Sequence, residues 1–297
     1  MKKYLLGSLV VLLLAGGVVA WRSPFFEKII RNIVFLSNKQ LASVAAAVSS
    51  PFYYTFKVDG ILNEAGKMDD SSSPYFWLNS GGQFYLKDGI GRTVQREIEQ
   101  FNKWRLAYAV SNSTDTDNGY HPQNILRLVT RSKWQSFQQE VYFRITKLNV
   151  SASANRNTSN GILLLNRYQD GNNLYYTGIR VDGTAVIKKK INGTYYTLAQ
   201  KSFYNVDAPY NRDTNPNLIP GQKWFGLKSE VVTNIDNTVS IKLFIDKDKT
   251  GNWVLAAEAK DDGKTYGGGA ILDKGYAGIR TDFMDVEFDD YKIEEIK

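Results

Sequence analysis

Cysteine is absent from the 297 residues. The chain can therefore form no disulfide, thiolate metal site or cysteine nucleophile. It also lacks the cysteine that a bacterial lipoprotein needs after its apolar leader. Histidine occurs once, at His121, which leaves little basis for a multi-histidine zinc site or a serine–histidine triad. His121 stands in the turn-rich stretch "DNGYHPQN" and reads as a surface-loop residue rather than a general base. A basic folded domain is missing too. The net charge is +7, but the first 50 residues hold six basic residues against the single acid Glu27, leaving only +2 beyond them. Nucleic-acid binders concentrate positive charge on the folded domain, so no nucleic-acid partner is expected.

What is present begins with "MKKYLLGSLVVLLLAGGVVAWRS". Lys2 and Lys3 precede an uncharged run from Tyr4 to Trp21. Eighteen helical residues would span ~27 Å, just short of a ~30 Å hydrocarbon core. Residues 1–22 read as a signal peptide, with small residues at Val18-Val19-Ala20. They read equally as a signal anchor with Trp21 and Arg22 at the interface. Both readings predict export, with the protein secreted or membrane-anchored at the cell surface. Residues 23–50 form a linker in which Phe25, Phe26, Ile29, Ile30, Ile33 and Val34 recur at three- and four-residue spacing. Lys28, Arg31 and Asn32 oppose them, so the pattern predicts an amphipathic helix over 25–48. Such a helix either lies on a bilayer or packs on the following domain. Ser49-Ser50-Pro51 ends it.

From residue 51 to 297 the chain is short β-rich runs separated by Gly, Asn and Asp. "FYYTFKV", "QFYLKD", "ILRLVTR", "QQEVYFRITKL", "GILLLNRY", "VSIKLFID", "WVLAAEAK" and "YAGIRTDF" are examples. Many short strands with turn signals between them predict an all-β fold, an antiparallel β-sandwich or barrel. "TVQREIEQFNKWRLAYAV" suits a helix or a long strand. No fixed-period repeat or low-complexity linker divides the body, so one domain is expected.

The succession "GILLLNRYQDGNNLYYTGIRVDGTAVIKKKINGTYYTLAQ", "KWFGLKSEVV", "VSIKLFIDKDKTGNWVLAAEAKDD", "GYAGIRTDF" and "VEFDDYKIEE" resembles the concanavalin A-like lectin/glucanase superfamily, in its laminin-G-like and jelly-roll sugar-acting branches. The likeness runs from about Tyr75 to Lys297 and lies in strand order and the closing "FDD" strand, not in a catalytic signature. It implies a jelly-roll β-sandwich. Lectin modules, glycosidases, polysaccharide lyases and adhesion domains share such folds, so function must come from the site.

Asp182-Gly183 and Asn192-Gly193 are dipeptides favoured in two-residue hairpin turns. Closing both that way sets Tyr175 opposite Lys190 and Lys190 opposite Tyr195. The "QDGNN" loop then brings Arg167 beside Tyr175. Arg167, Tyr175, Lys190 and Tyr195 become one row on one sheet face, with Lys188 in the row beside it. Leu164, Leu174, Tyr176, Ile187, Ile191, Tyr196 and Leu198 fall on the core face. Tyrosine rings offer flat apolar area with a polar tip, and Arg and Lys would meet a carboxylate or sulfate. An acidic polysaccharide fits that row. Tyr and Lys covering a solvated sheet face is the plainer alternative.

Three further motifs draw attention. Asp285, Glu287 and Asp289 alternate on the closing strand, and glucanases of the resembled fold space two carboxylates so that acid and nucleophile lie ~5 Å apart. Here the Asp/Glu order is inverted, and a structural role is expected. "DKDKTGN" resembles the start of a calcium loop, but its twelfth position is Ala257 rather than Glu, so a hairpin turn is expected. Of six Trp, Trp77 and Trp224 stand near loops where they could serve as sugar platforms.

The sequence thus predicts an exported or membrane-tethered sandwich that binds a glycan, with the N-terminal helix as its membrane contact and no cofactor or metal. A polysaccharide lyase or glycosidase of the same fold is one alternative. In a lyase a Tyr would move the proton while Arg or Lys neutralised the uronate. A non-catalytic adhesion domain is the other.

Overall fold

Period-two alternation turns one side of each run toward a core and the other away from it, and the runs pair into two antiparallel sheets. The computed structural model describes residues 42–204 and 208–297. The apolar run from Tyr4 to Trp21, and the expected helix up to residue 41, lie outside the described residues. Residues 42–48, the end of that expected helix, form no helix. The Ser43 and Ala46 N–H groups donate to the carbonyls of Ser71 and Pro74. These bonds replace the i−4 partners a helix would require.

The first strands are β1 (Phe52–Tyr54), β2 (Gly60–Asn63), β3 (Phe76–Ser80), β4 (Gln83–Lys87) and β5 (Ile90–Thr93). Helix α1 (Lys103–Ser111) follows and takes the second half of the ambiguous stretch, whose first half, 94–102, is neither helix nor strand. Asn102 starts it, its side-chain oxygen accepting from the Trp104 N–H at 2.9 Å, as a good N-cap does. Then come β6 (Ile125–Trp134), β7 (Phe137–Leu148), β8 (Gly161–Asp170), β9 (Asn173–Arg180), β10 (Thr184–Ile191) and β11 (Thr194–Ser202). The last are β12 (Trp224–Thr233), β13 (Val239–Asp246), β14 (Val254–Asp261), β15 (Gly275–Asp282) and β16 (Met284–Glu295).

One sheet runs β14-β13-β12-β7-β16-β5-β4-β2, with β1 also on β16, and the other runs β11-β10-β9-β8-β15-β6-β3. Their facing sides bury Phe84, Phe143, Phe225 and Phe288 from the first, and Leu126, Leu164, Ile179, Ile187 and Ile279 from the second. This is the expected jelly-roll β-sandwich, and Ala42–Lys297 forms one compact unit.

The seven-stranded sheet is buried on its other face as well. Val129, Leu163, Leu165, Tyr168, Leu174, Tyr176 and Val186 form a second apolar cluster there, joined by Met68 and Trp77. Burial on both faces explains why β8 reads as the near-continuous apolar run "GILLL" rather than as an alternation.

The two hairpin dipeptides behave differently. Asn192 and Gly193 both take positive φ, 50° and 83°, and Ile191 pairs with Thr194. That is the expected two-residue turn. At the other hairpin Ala185 pairs with Ile179, and the Gly183 N–H donates to the Arg180 carbonyl. The loop there has three residues, Val181-Asp182-Gly183, with Gly183 left-handed at φ 76°. A Cβ on Gly183 would stand 2.5 Å from the Tyr204 carbonyl oxygen, whereas one on Gly193 would meet nothing closer than 3.6 Å. Gly193→Ala should therefore cost only the left-handed strain, about 1–2 kcal/mol. Gly183→Ala should cost clearly more. Urea unfolding of the two variants checks the order, and equal losses would contradict it.

Candidate functional site

The extra residue in the Val181–Gly183 loop shifts β10 by one position and turns its side chains over. Tyr175 pairs with Lys189, not Lys190, and Lys190 pairs with Leu174. Across the next hairpin Lys190 pairs with Tyr195, as expected. A bulge between Asn166 and Asp170, with Arg167 at φ 49°, turns Arg167 inward. Arg167 and Tyr175 are both 0% exposed. The expected solvent-facing row of Arg167, Tyr175, Lys190 and Tyr195 is thus corrected. Its first two members are core residues, while Lys190, Tyr195 and Lys188 lie on the opposite face. Leu174 and Tyr176, expected in the main core, lie on that opposite face too.

A row does exist on the inner face, and it binds the chain's own backbone. Arg167 donates to the carbonyls of Gln135 and Ile271 (both 2.8 Å) and to Thr233 Oγ1 (2.7 Å). The Tyr175 hydroxyl donates to Asp261 Oδ2 (2.6 Å) and accepts from the Ile271 N–H (3.0 Å). Lys189 Nζ donates to the same Asp261 oxygen (2.9 Å) and to the carbonyls of Gly268 and Gly269. These groups pin the glycine-rich segment between β14 and β15. Burial lowers the Arg167 guanidinium to about 10 and pushes the Tyr175 phenol up, the latter reinforced by Asp261.

The accessible chemistry lies on the outer face of the seven-stranded sheet. Register places Trp77, Val129, Gly278, Leu165, Tyr176, Lys188 and Thr197 in one line across it. Beside this line opens a cleft of about 470 Å³. Tyr176, Lys188, Tyr195, Arg280 and Asp282 form its sheet side, and Asp115, Asn155 and Asn157 its loop side.

Arg280 organises the sheet side. Its Nε donates to Asp282 Oδ1 at 2.9 Å and its Nη1 to the Tyr176 hydroxyl at 3.3 Å. Burial alone would favour a neutral guanidinium, but Asp282 and the two tyrosines hold Arg280 firmly charged. Tyr195 stacks on Tyr176 with centroids 6.0 Å apart and planes 29° apart. Lys190 and Lys188 lie 4.7 and 6.0 Å from the centre of the Tyr195 ring. Lys190 also donates to the Gly171 carbonyl. Burial pushes the Tyr195 phenol up, but Arg280 and Lys190 outweigh it and hold the phenol below its usual range. Burial and the neighbouring Arg180 lower Lys188. Tyr195 is 48% exposed, so its ring is both electrostatically tuned and open to a ligand.

The loop side is cross-linked by side-chain hydrogen bonds. Asp115 accepts from Ser153 Oγ (2.6 Å) and Asn155 Nδ2 (3.0 Å). Burial would raise its carboxyl, but these donors and Asn112 hold it low. His121 serves the same wall, its Nδ1 2.9 Å from Asp117 Oδ2, while Asp117 Oδ1 accepts from Ser151.

The closing carboxylates have structural roles. Asp285 is buried and accepts from the Arg96 N–H, Gln123 and Asn149. Glu287 is clamped by Arg92 (2.8 Å) and Arg144 (2.6 Å). Asp289 pairs with Lys249. A register shift between Asp285 and Val286 also breaks their common face. In "DKDKTGN" the Asp246 carboxylate accepts from the Gly251 N–H (2.7 Å) and from Thr250, closing its own turn.

Sequence reasoning did not single out Arg280 or Asp282, and it assigned Tyr176 to the core between the sheets. The alternation in "GYAGIRTDF" does put Arg280 and Asp282 on one face, but only the layer order shows that this face lines a cleft.

No family model and no curated protein matches the chain. Among solved structures it is similar to the carbohydrate-binding module CBM66 from Bacillus subtilis, at 15% identity over 58% of this chain and 83% of that one, TM-score 0.40. It is similar to the Bacillus licheniformis β-glucanase at 10% identity over 84% of this chain and 100% of that one, TM-score 0.43. The exoplasmic/lumenal domain of VIP36 in its Ca2+-bound form is similar at 8% identity over 76% of this chain and 85% of that one, TM-score 0.41.

Proposed function

We propose that the protein binds an acidic polysaccharide in the cleft on the outer face of the seven-stranded sheet. The observation that carries this reading is the tuned group of Tyr195, Tyr176, Arg280 and Lys188 beside an open volume of about 470 Å³. The exposed Tyr195 ring, backed by the buried Tyr176, gives a pyranose ring an apolar surface, and Arg280 and Lys188 meet its carboxylate or sulfate. Tyr195→Ala should weaken binding about five- to tenfold, the worth of a well-placed ring. Lys188→Ala should weaken it less and flatten its salt dependence. A glycan array followed by titration of the best ligand tests both, and wild-type affinity in Tyr195→Ala would dismiss the cleft.

One observation favours a lyase as second reading. A phenol held low beside a fixed guanidinium suits β-elimination at a uronate. Tyr195 takes the proton α to the carboxylate, Arg280 neutralises the developing charge, and the glycosidic C4–O bond breaks as its oxygen receives that proton from Tyr195. Tyr195→Phe must then abolish the ultraviolet-absorbing unsaturated product while binding survives.

The uncharged run from Tyr4 to Trp21 supports export, with the sandwich held at or released from a membrane. Full-length protein should sediment with membranes, and a form beginning at Ser50 should stay soluble. Recovery of full-length protein in the cytosolic fraction contradicts this.

A further inference from the structure

We propose that the outer face of the nine-stranded sheet carries a second polysaccharide-binding surface, an aromatic shelf formed by Trp253, Tyr142 and Trp224 and edged by Lys228. It lies on the opposite side of the sandwich from the cleft and does not depend on it.

The shelf begins with a glycine whose backbone does not need to be glycine. Gly226 sits inside β12, paired with Tyr142 on one side and Asp246 on the other. Its neighbours Phe225 and Leu227 point into the core, so position 226 points out. A Cβ there would stand 2.6 Å from Trp253 Cη2 and 2.9 Å from Tyr142 Cε1. Glycine weakens a strand interior and marks a place where something approaches closely. Here the approaching groups are the rims of two rings, which settle against the sheet.

The β13–β14 loop is built to deliver the larger ring. Asp246 fastens that loop through the Gly251 N–H and the Thr250 hydroxyl, although its burial alone would raise the carboxyl that these donors hold low. Lys249 anchors the loop to Asp289 and Asp290. Trp253 then lies beside Tyr142 with centroids 5.7 Å apart and planes 32° apart. Trp224, two positions along β12, extends the same face. Lys249 stands 5.0 Å from the Tyr142 ring and 5.1 Å from the Trp224 ring, joining the two. Trp224, Trp253 and Tyr142 are all half-buried rather than packed into the core.

The charges around the shelf select the ligand. Glu287 is taken by Arg92 and Arg144, Asp289 and Asp290 by Lys249, and Asp246 by its own loop, while Glu140 stands opposite Lys228 in the strand register. Lys228, 4.6 Å from the Trp253 ring centre, forms no ion pair with an acidic side chain among the described residues. Half-open rings interleaved with cations do not make the continuous apolar centre of a protein interface. They do suit the C–H face of a pyranose, with Lys228 and Glu140 placed to meet its ring hydroxyls. With the cleft on the other side, one molecule could hold two polymer strands.

Affinity electrophoresis of the full chain through gels of xylan, β-glucan, mannan and a polyuronate tests the shelf. Trp253→Ala should weaken retention by at least one polymer about tenfold, the effect of losing an aromatic anchor. The same loss should appear in a Tyr195→Ala background. Gly226→Ala, which unseats Trp253 without removing it, should act in the same direction. Should Trp253→Ala not fold, the wild-type chain gives the answer. A retained polymer should then shield tryptophan fluorescence from acrylamide, and Lys228→Ala should reduce its retention. Wild-type retention of folded Trp253→Ala by every polymer overturns the proposal, as does the absence of any shielding.

Discussion

Asp261→Leu should destabilise the protein by about 3–5 kcal/mol, the usual cost of stripping one partner from a buried ion pair. Lys189 and Asp261 are both 0% exposed, their charged atoms 2.9 Å apart. Their attraction offsets desolvation only while both are present. The Asp261 oxygen also accepts from Tyr175, so the leucine strands an ammonium and a phenol together. Lys189→Met added to Asp261→Leu removes the orphaned charge, and the double variant should regain more than half of the loss. It should not reach wild type, because the Tyr175 O–H, which keeps only the Ile271 N–H as a donor to it, still lacks an acceptor, and a buried donor left unsatisfied costs about 1–3 kcal/mol. Urea unfolding of the singles and the double measures the coupling. A loss below about 1 kcal/mol in Asp261→Leu, within the range of an exposed pair, would show that the group does not hold the Gly268–Ile271 segment.

That buried group is where the sequence was nearly legible. The residues that can form a polar row in β8, β9 and β10 are visible in one dimension, and so are the two hairpins. A dipeptide such as Asp182-Gly183 does not state whether its loop has two residues or three. One residue of difference exchanged Lys190 for Lys189 and turned a surface row into a core one. At the bulge the left-handed backbone falls on Arg167 rather than on the asparagine before it, a placement that residue type does not announce. Period two gave the alternation of "GYAGIRTDF" correctly, but it assigns residues to two faces without saying which face lies between the sheets. The apolar run "GILLL" held the missing hint, since a strand apolar on both sides is covered on both sides. The all-β class and the Asn192-Gly193 turn depended on local chemistry alone and were readable.

Arg280→Lys should weaken binding of an acidic polysaccharide about ten- to a hundredfold while leaving the fold nearly intact, because lysine keeps the charge and loses the planar fork. The choice of lysine matters. Asp282 is 2% exposed and its Oδ1 accepts from Arg280, so alanine would leave a buried carboxylate alone and confound binding with unfolding. Lysine retains a countercharge for Asp282 but cannot also donate to the Tyr176 hydroxyl in the same plane while presenting a second N–H to the ligand. Tyr195 gives an internal reporter, since Arg280 is the main group holding its phenol low. In Arg280→Lys the Tyr195 phenol should titrate at higher pH, read from tyrosinate absorbance against a Tyr195→Phe control. An acidic ligand should also bind less tightly as salt rises, and Arg280→Lys should do little to a neutral glycan. Equal binding of acidic glycans by Arg280→Lys and wild type would show that the guanidinium serves the sheet and not the ligand.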